Sequence, residues 1–394
     1  MSLLRQIRLA RAPIVAFAAM GMLWGAFAAL VPDVKAMLGA SDAEYGMLLF
    51  ATPLAAVAAM LAAPALAPRL GRHVLPVSMA LLALSFLLPG WMSVPVLFAV
   101  AMLAVGASNG FLDVTMNARV SALELSHGLH LMNLNHAAYS FGYAGVAVAT
   151  GAARAAGYAP GEILSVVALV IGALALLTVE RGPDINGFDR AAGFGGRLGA
   201  LPVWGGVIVL IAFLSENAAE NWSALHIERT LGGSVQEGSF GPAVMALTAG
   251  LGRIAGQVVA ARVAEAVLMR WGVLLAAAGM VLTALAPAPA VVHMGLVVTG
   301  LGASVIAPTA FSVVGRLSDP GRRALMIARA TTLGYLGYFF GPPALGLVAE
   351  MFGLRAAFLG IAGVILAVLW LFPRLLACGG RGAAPEDRPE APAA

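Results

Sequence analysis

Residues 106–139 read GASNGFLDVTMNARVSALELSHGLHLMNLNHAAY, and they set one carboxylate, Asp113, inside an otherwise apolar helical pattern. Asn109, Asp113 and Asn117 recur every four residues and therefore share one helix face. A short His-containing turn follows, and then a second apolar helix with Asn133, His136 and Tyr139 near its start. A carboxylate in hydrocarbon costs several kcal/mol unless it is neutralised, partnered or turned to a wet cavity. The stretch therefore reads as the lining of an ion or solute path through a membrane, and not as a lipid-facing wall.

The rest of the chain agrees with that setting. Of 394 residues, 61% are hydrophobic and 11% charged, and the mean hydropathy is +0.92. A soluble globular domain carries roughly 25% charged residues, so this is an all-α integral membrane protein. Apolar runs near the roughly 20 residues needed to span a bilayer lie at 13–32, 45–67, 73–93, 95–119, 130–153 and 161–179, and again at 203–226, 238–262, 267–287, 290–315, 323–349 and 355–376. These are two sets of six. The expected organisation is a bundle over 1–179, a cytoplasmic linker over 180–202, a second bundle over 203–378, and a Pro- and Ala-rich disordered tail over 379–394. The first run, with its Ala-rich GAFAAL, resembles a signal peptide, but it is long enough to span and is expected to stay. Helix five carries SFGYAG and helix eleven YLGYFFG at matching places, as in transporters built from parallel repeats.

Seventeen basic residues fall on the side of the N-terminus and only Lys35, Arg154, Arg229 and Arg355 on the other, which by the positive-inside rule places both termini in the cytoplasm. The same bias accounts for a pI near 9.6 without nucleic acid as a partner. The single cysteine, Cys378, gives no disulfide framework and no Cys-based metal site. The only lysine, Lys35, lies outside any Walker A pattern, and neither HExxH nor a His/Cys cluster of metal spacing occurs. The expectation is therefore no metal, no cofactor and no nucleotide-driven engine, with an ion gradient or solute exchange supplying the work.

Four intramembrane features carry candidate chemistry. Asp113 and His136 sit at similar depth across the hairpin of helices four and five, where an acid and an imidazole can share a proton or merely tie two helices together. In helix seven, Glu216 and Glu220 are one turn apart, on one face with Ser223, and two acids in low dielectric favour a shared proton. Arg253 in GLGRIAGQ is a counter-ion for an acid, an anchor for an anionic solute, or a structural lock. Arg329 sits close enough to a helix end to snorkel. Asn109, Asn117, Asn133 and Asn217 offer neutral hydrogen-bonding groups, and Trp24, Tyr139, Tyr335 and Tyr338 offer rings that stack on solutes, while Trp222 reads as an interfacial anchor.

The segments DVTMNARVSALE, NLNHAAYSFG, ENAAENWSAL and GYLGYFFGPPALGLVAEMFGLRAA resemble the major facilitator superfamily, more narrowly its fucose-permease-like branch with the YbjJ-type proteins, over about residues 13–376. The resemblance implies the major facilitator fold, twelve transmembrane helices in two pseudo-symmetric six-helix bundles, working by alternating access. It implies that Asp113 falls where proton-coupled sugar permeases of this branch carry a helix-four carboxylate. The superfamily's loop motif between helices two and three stands here as PALAPRLGRH, with Pro64 and Pro68 in place of Gly and Asp, and Leu30 stands where the YbjJ-type proteins carry Arg. Inner-gate roles for Arg69, Arg72 and Arg262 follow from that loop and its surroundings.

The expected protein is a proton-coupled secondary transporter of the bacterial inner membrane, moving a small polar solute, with a sugar or sugar derivative first. Asp113 would take the proton, His136 and Arg253 tune it, and Glu216 with Glu220 form a second acid site; Asn109, Asn117, Asn133, Asn217, Trp24, Tyr139, Tyr335 and Arg253 would line the solute. Its partners are the solute, protons and the lipid bilayer, and a monomer suffices. The alternative is a proton-driven exporter of amphiphilic compounds. A receptor or an intramembrane enzyme fits less well, because no nucleophile, metal set or output domain accompanies the acids.

Overall fold

A chain this apolar has to satisfy its backbone hydrogen bonds within its own segments, and helices do so. The computed structural model describes residues 3–129, 131–180, 199–260, 262–319 and 322–378, and the regular structure among them is helical. The first half contains α1 (Leu3–Leu9), α2 (Arg11–Leu38), α3 (Asp42–Leu49), α4 (Ala51–Leu70), α5 (Val74–Phe86), α6 (Pro95–His127), α7 (Met132–Ala155) and α8 (Pro160–Ala175). The second contains α9 (Ala200–Leu225), α10 (Val235–Ala260), α11 (Glu265–Leu285), α12 (Pro289–Ala303), α13 (Ile306–Leu317), α14 (Arg323–Leu366) and α15 (Val368–Ala377). Most of the linker expected at 180–202 and the tail expected at 379–394 lie outside the described residues.

Eight stretches among the described residues are long and apolar enough to cross a membrane. Two of these, Asp42–Trp91 and Leu325–Ala377, are 50 and 53 residues long, enough for two crossings each. The first breaks at Gly71 and the second at Gly353, whose positive φ values (51° and 81°) favour a residue without a Cβ. The remaining two passes are α7 and α10. They carry Asn, His, Tyr and Arg side chains of the site described below, and so are less apolar along their length. Twelve passes result. The pass expected over 290–315 is two helices, α12 and α13, and α6 runs eight residues past the expected end at 119. That extension has a use: the Glu124 carboxylate accepts from the Leu131 and Met132 backbone N–H groups and so caps the start of α7.

The helices from α2 to α8 pack as one bundle and those from α9 to α15 as the other. Small residues set the closest approaches, as expected where lipid supplies no hydrophobic drive between helices. A Cβ on Gly21 or Gly25 of α2 would collide with the Tyr139 or Tyr143 carbonyl oxygen of α7, and one on Gly337 of α14 would collide with that of Leu210 in α9. The same pass of each half thus docks on the first pass of its own bundle. The bundles face each other along α2 and α7 against α9 and α10, and along α3 against α14.

Candidate functional site

The polar residues form two layers between the bundles. One lies at the end away from the N-terminus, here called the distal end; the other lies at mid-depth.

At the distal end Arg154, in the last turn of α7, is 1% exposed at its side chain. Its Nε and Nη2 donate to the two Asp33 oxygens of α2, each at 2.7 Å, and Nη1 and Nη2 donate to Glu228 of the opposite bundle at 2.7 and 3.0 Å. Asp42, at the start of α3, accepts from Arg229 Nη1 across the interface at 2.7 Å and pairs with Lys35 Nζ at 3.1 Å. The Asp42 backbone N–H donates to Glu350 of α14 at 2.8 Å. Glu228 and Arg229 are neighbours in the π-helical turn His226–Thr230 and reach different helices, since consecutive helical residues point about 100° apart. Beneath this network the rings of Tyr45 and Trp222 meet edge-on at 6.2 Å, and Gly46 admits the Pro342 carbonyl at close range. A depression of about 390 Å³ lies above, between Asp33, Lys35, Glu228 and Arg229. The two bundles are therefore pinned together at this end. Trp222 is fully buried, so it is a plug residue and not the interfacial anchor expected from sequence.

At mid-depth Trp24 Nε1 donates to Asn109 Oδ1 at 2.8 Å, and its ring packs edge-on to Phe27 and Phe86. One turn on, Asp113 accepts from Asn117 Nδ2 at 3.1 Å on one oxygen and from the Tyr335 hydroxyl of α14 at 3.2 Å on the other. Asn117 also donates to the Asp113 carbonyl at 2.8 Å. Among the described residues no cation reaches Asp113. Its partner across the interface is a neutral hydroxyl.

The opposite half of this layer is built by α9 and α10. Arg253 Nη2 lies 2.8 Å from both Glu216 oxygens. Glu220, one turn on, makes no hydrogen bond or ion pair among the described residues, while it interacts electrostatically with Glu216 and Arg253 and with Tyr139, Tyr143 and Tyr338. Tyr139 is the hub, within electrostatic reach of Asp113, Glu216, Glu220 and Arg253. Tyr335 and Tyr338 pack with Phe213, at 5.8 and 5.0 Å between ring centroids. The Asn217 side-chain oxygen is buried without a donor and faces Gly341 of α14.

The expected neighbourhood of Asp113 and His136 does not form. His136 packs edge-on to Phe17 at 4.9 Å, and the charged group it faces is Arg253. Equal depth did not bring equal rotation: His136 faces Phe17 of α2 and Arg253 of α10, whereas Asp113 faces Tyr335 of α14. Nor does Arg253 reach Asp113, because Glu216 holds it. His136 is nevertheless exposed. Asn133 is exposed in the first turn of α7, and Arg329 is buried near the start of α14. Arg69, Arg72 and Arg262 are exposed at that same end, Arg72 donating to His73 at 3.2 Å. The sequence places Lys35, Arg154 and Arg229 only as loop charges, whereas the structure pairs Arg154 with Glu228 and Arg229 with Asp42 across the bundles.

The profile of the Major Facilitator Superfamily matches residues 205–393. An uncharacterized MFS-type transporter of Yersinia pestis is 28% identical over 90% of this chain and 92% of its own length. Among solved structures, the nucleoside transporter NupG (13% identity, 93% of this chain and 98% of that one) superposes with a TM-score of 0.73. A D-xylose-proton symporter (14% identity, 94% and 98%) does so with 0.71. The chain is a multi-pass membrane protein with the major facilitator fold, twelve helices in two six-helix bundles.

Proposed function

We propose that this protein is a proton-coupled secondary transporter of a small polar solute, working by alternating access with both termini in the cytoplasm. The observation that carries the reading is Asp113. It is an intramembrane carboxylate whose partners, Asn117 and Tyr335, are neutral, and one of them belongs to the opposite bundle. Adding or removing a proton there leaves no cation stranded and changes a bond between the two moving bodies, which is what coupling requires. The charge pairs that join the bundles at the distal end suit a cytoplasm-facing state under the positive-inside orientation. The resemblance to sugar permeases, together with a nucleoside transporter and a D-xylose-proton symporter among the structural neighbours, supports a hydroxylated solute. Asn109, which accepts from Trp24, and Asn117 line its path, and Asn217 faces Gly341 of α14.

The test is solute-dependent proton uptake in proteoliposomes, screening sugars, sugar acids, nucleosides and cationic amphiphiles, with Asp113→Asn alongside. The expected outcome is that one solute class carries protons inward and that the variant retains exchange but loses gradient-driven accumulation. Accumulation surviving in the variant moves coupling to Glu216 or Glu220. Outward movement of amphiphiles alone replaces symport by export.

A further inference from the structure

We propose that the transported solute bears a protonated amine, which docks on Glu220 between Tyr139, Tyr143 and Tyr338. This rests on the transporter reading above and deepens it. The central layer holds three carboxylates, Asp113, Glu216 and Glu220, and one engaged guanidinium. Arg253 is committed to Glu216, with Nη2 at 2.8 Å from both oxygens. An anionic solute that reached the remaining Arg253 N–H groups would still stand beside Glu216 and face Glu220, so the excess of acids over cations favours a cation. Asp113 has each oxygen occupied by a neutral donor. Among the described residues Glu220 has neither oxygen occupied, and it keeps partial exposure. It is the one acid of the layer whose hydrogen-bonding capacity and charge are both open.

Its surroundings suit an ammonium group. Tyr139 and Tyr143 lie one turn apart on α7, with ring centroids 6.0 Å apart, and Tyr338 approaches from α14. Tyrosine faces attract a cation once it is desolvated. A second observation is independent of the acid. The Asn217 side-chain oxygen, in a residue only 9% exposed, has no donor and faces the same side of α14, at Gly341 one turn from Tyr338. An ammonium brings three N–H donors, enough for Glu220 and for this orphaned oxygen together. A neutral hydroxyl brings one, and supplies no charge. His136 faces Arg253 and so adds no counter-charge at Glu220.

The experiment uses the full-length protein in nanodiscs and two matched probe pairs, D-glucosamine with D-glucose and cyclohexylamine with cyclohexanol. Binding is read by calorimetry and by quenching of tryptophan fluorescence. In at least one pair the amine is expected to bind at least about 30-fold more tightly than its alcohol, the equivalent of pairing one buried charge. Glu220→Gln abolishes that preference, and Glu220→Asp, which keeps the charge, retains it; unchanged thermal midpoints establish that both variants are folded. Amines that bind no better than their alcohols, or do not bind, overturn the proposal, as does a preference that survives in Glu220→Gln. Proton uptake driven by an alcohol and lost in Asp113→Asn would leave the transporter reading standing while the amine is rejected. Absence of any proton-coupled flux with amine binding intact would do the reverse.

Discussion

In the ion-paired network at the distal end acids and cations balance; at mid-depth they do not. Asp33, Asp42 and Glu228 meet Arg154, Lys35 and Arg229, and each carboxylate has a cation within hydrogen-bonding distance. In the centre, Asp113, Glu216 and Glu220 share one guanidinium, and it is spent on Glu216. The balanced layer is a lock, since Glu228 and Arg229 have their charge partners only while the bundles stay together. An unbalanced layer is where a proton or a charged solute changes the energy of the whole. The difference separates holding from working within one interface.

The largest expected effect comes from unbalancing the lock. Arg154→Gln leaves Asp33 and Glu228 facing each other with no cation between them. Removing one partner of a buried pair costs about 3–5 kcal/mol, and water at the partly exposed Asp33 (34%) argues for the lower end, about 3 kcal/mol. The part carried by Glu228 is lost from the closed state alone, because the Arg154–Glu228 pair crosses between the bundles whereas Arg154–Asp33 lies within one. Ala144 lies buried with Ala29, Ala147 and Ala243 on the inner side of the network. In a Cys378→Ser background, Ala144→Cys should react slowly with a water-soluble maleimide, and many-fold faster once Arg154→Gln is added. Equal rates in the two backgrounds would mean that the distal network is ornament and the comparison fails.

The next effect concerns the one balanced pair in the centre. Glu216→Gln strands Arg253, which is 32% exposed and so partly rescued by water, for a loss of about 2 kcal/mol. The double variant Glu216→Gln with Arg253→Gln should recover most of it, as thermal unfolding in one detergent can measure. If the double variant is no more stable than the single one, Arg253 has a second partner and the count of one cation to three acids is wrong.

How much of this could be read from sequence differs between the layers for a physical reason. Asp113 and Asn117 were legible as one face of one helix because helical spacing fixes such neighbours, and the hydrogen bond between them follows. For Arg253 the sequence leaves an acid's counter-ion, a solute anchor and a structural lock open together, and the acid it meets is Glu216. The distal network was hidden. Its pairs are separated by 121, 74 and 187 residues, and a charge at a helix end is equally well explained by topology. The π-helical turn that carries Glu228 and Arg229 leaves no pattern in HIERT. His136 failed for another reason: counting residues gives depth along a helix but not its rotation about its axis, and rotation decides which neighbour a side chain meets.

The smallest effect tests the link between the proton site and the moving bundle. Tyr335→Phe keeps the ring against Phe213 and Tyr338 and removes only the hydroxyl that donates to Asp113. One neutral hydrogen bond is worth about 1 kcal/mol net, so the equilibrium between the two orientations should move by about five-fold. Because Asn117 still holds the other Asp113 oxygen, the acid itself stays in place. Gradient-driven accumulation should therefore persist at a reduced level, in contrast with its loss in Asp113→Asn. The two variants together separate the proton's seat from its linkage: accumulation abolished by Tyr335→Phe as completely as by Asp113→Asn would make the hydroxyl part of the proton path, whereas no change at all would leave the charge of Asp113, felt through the central layer, as the coupling agent.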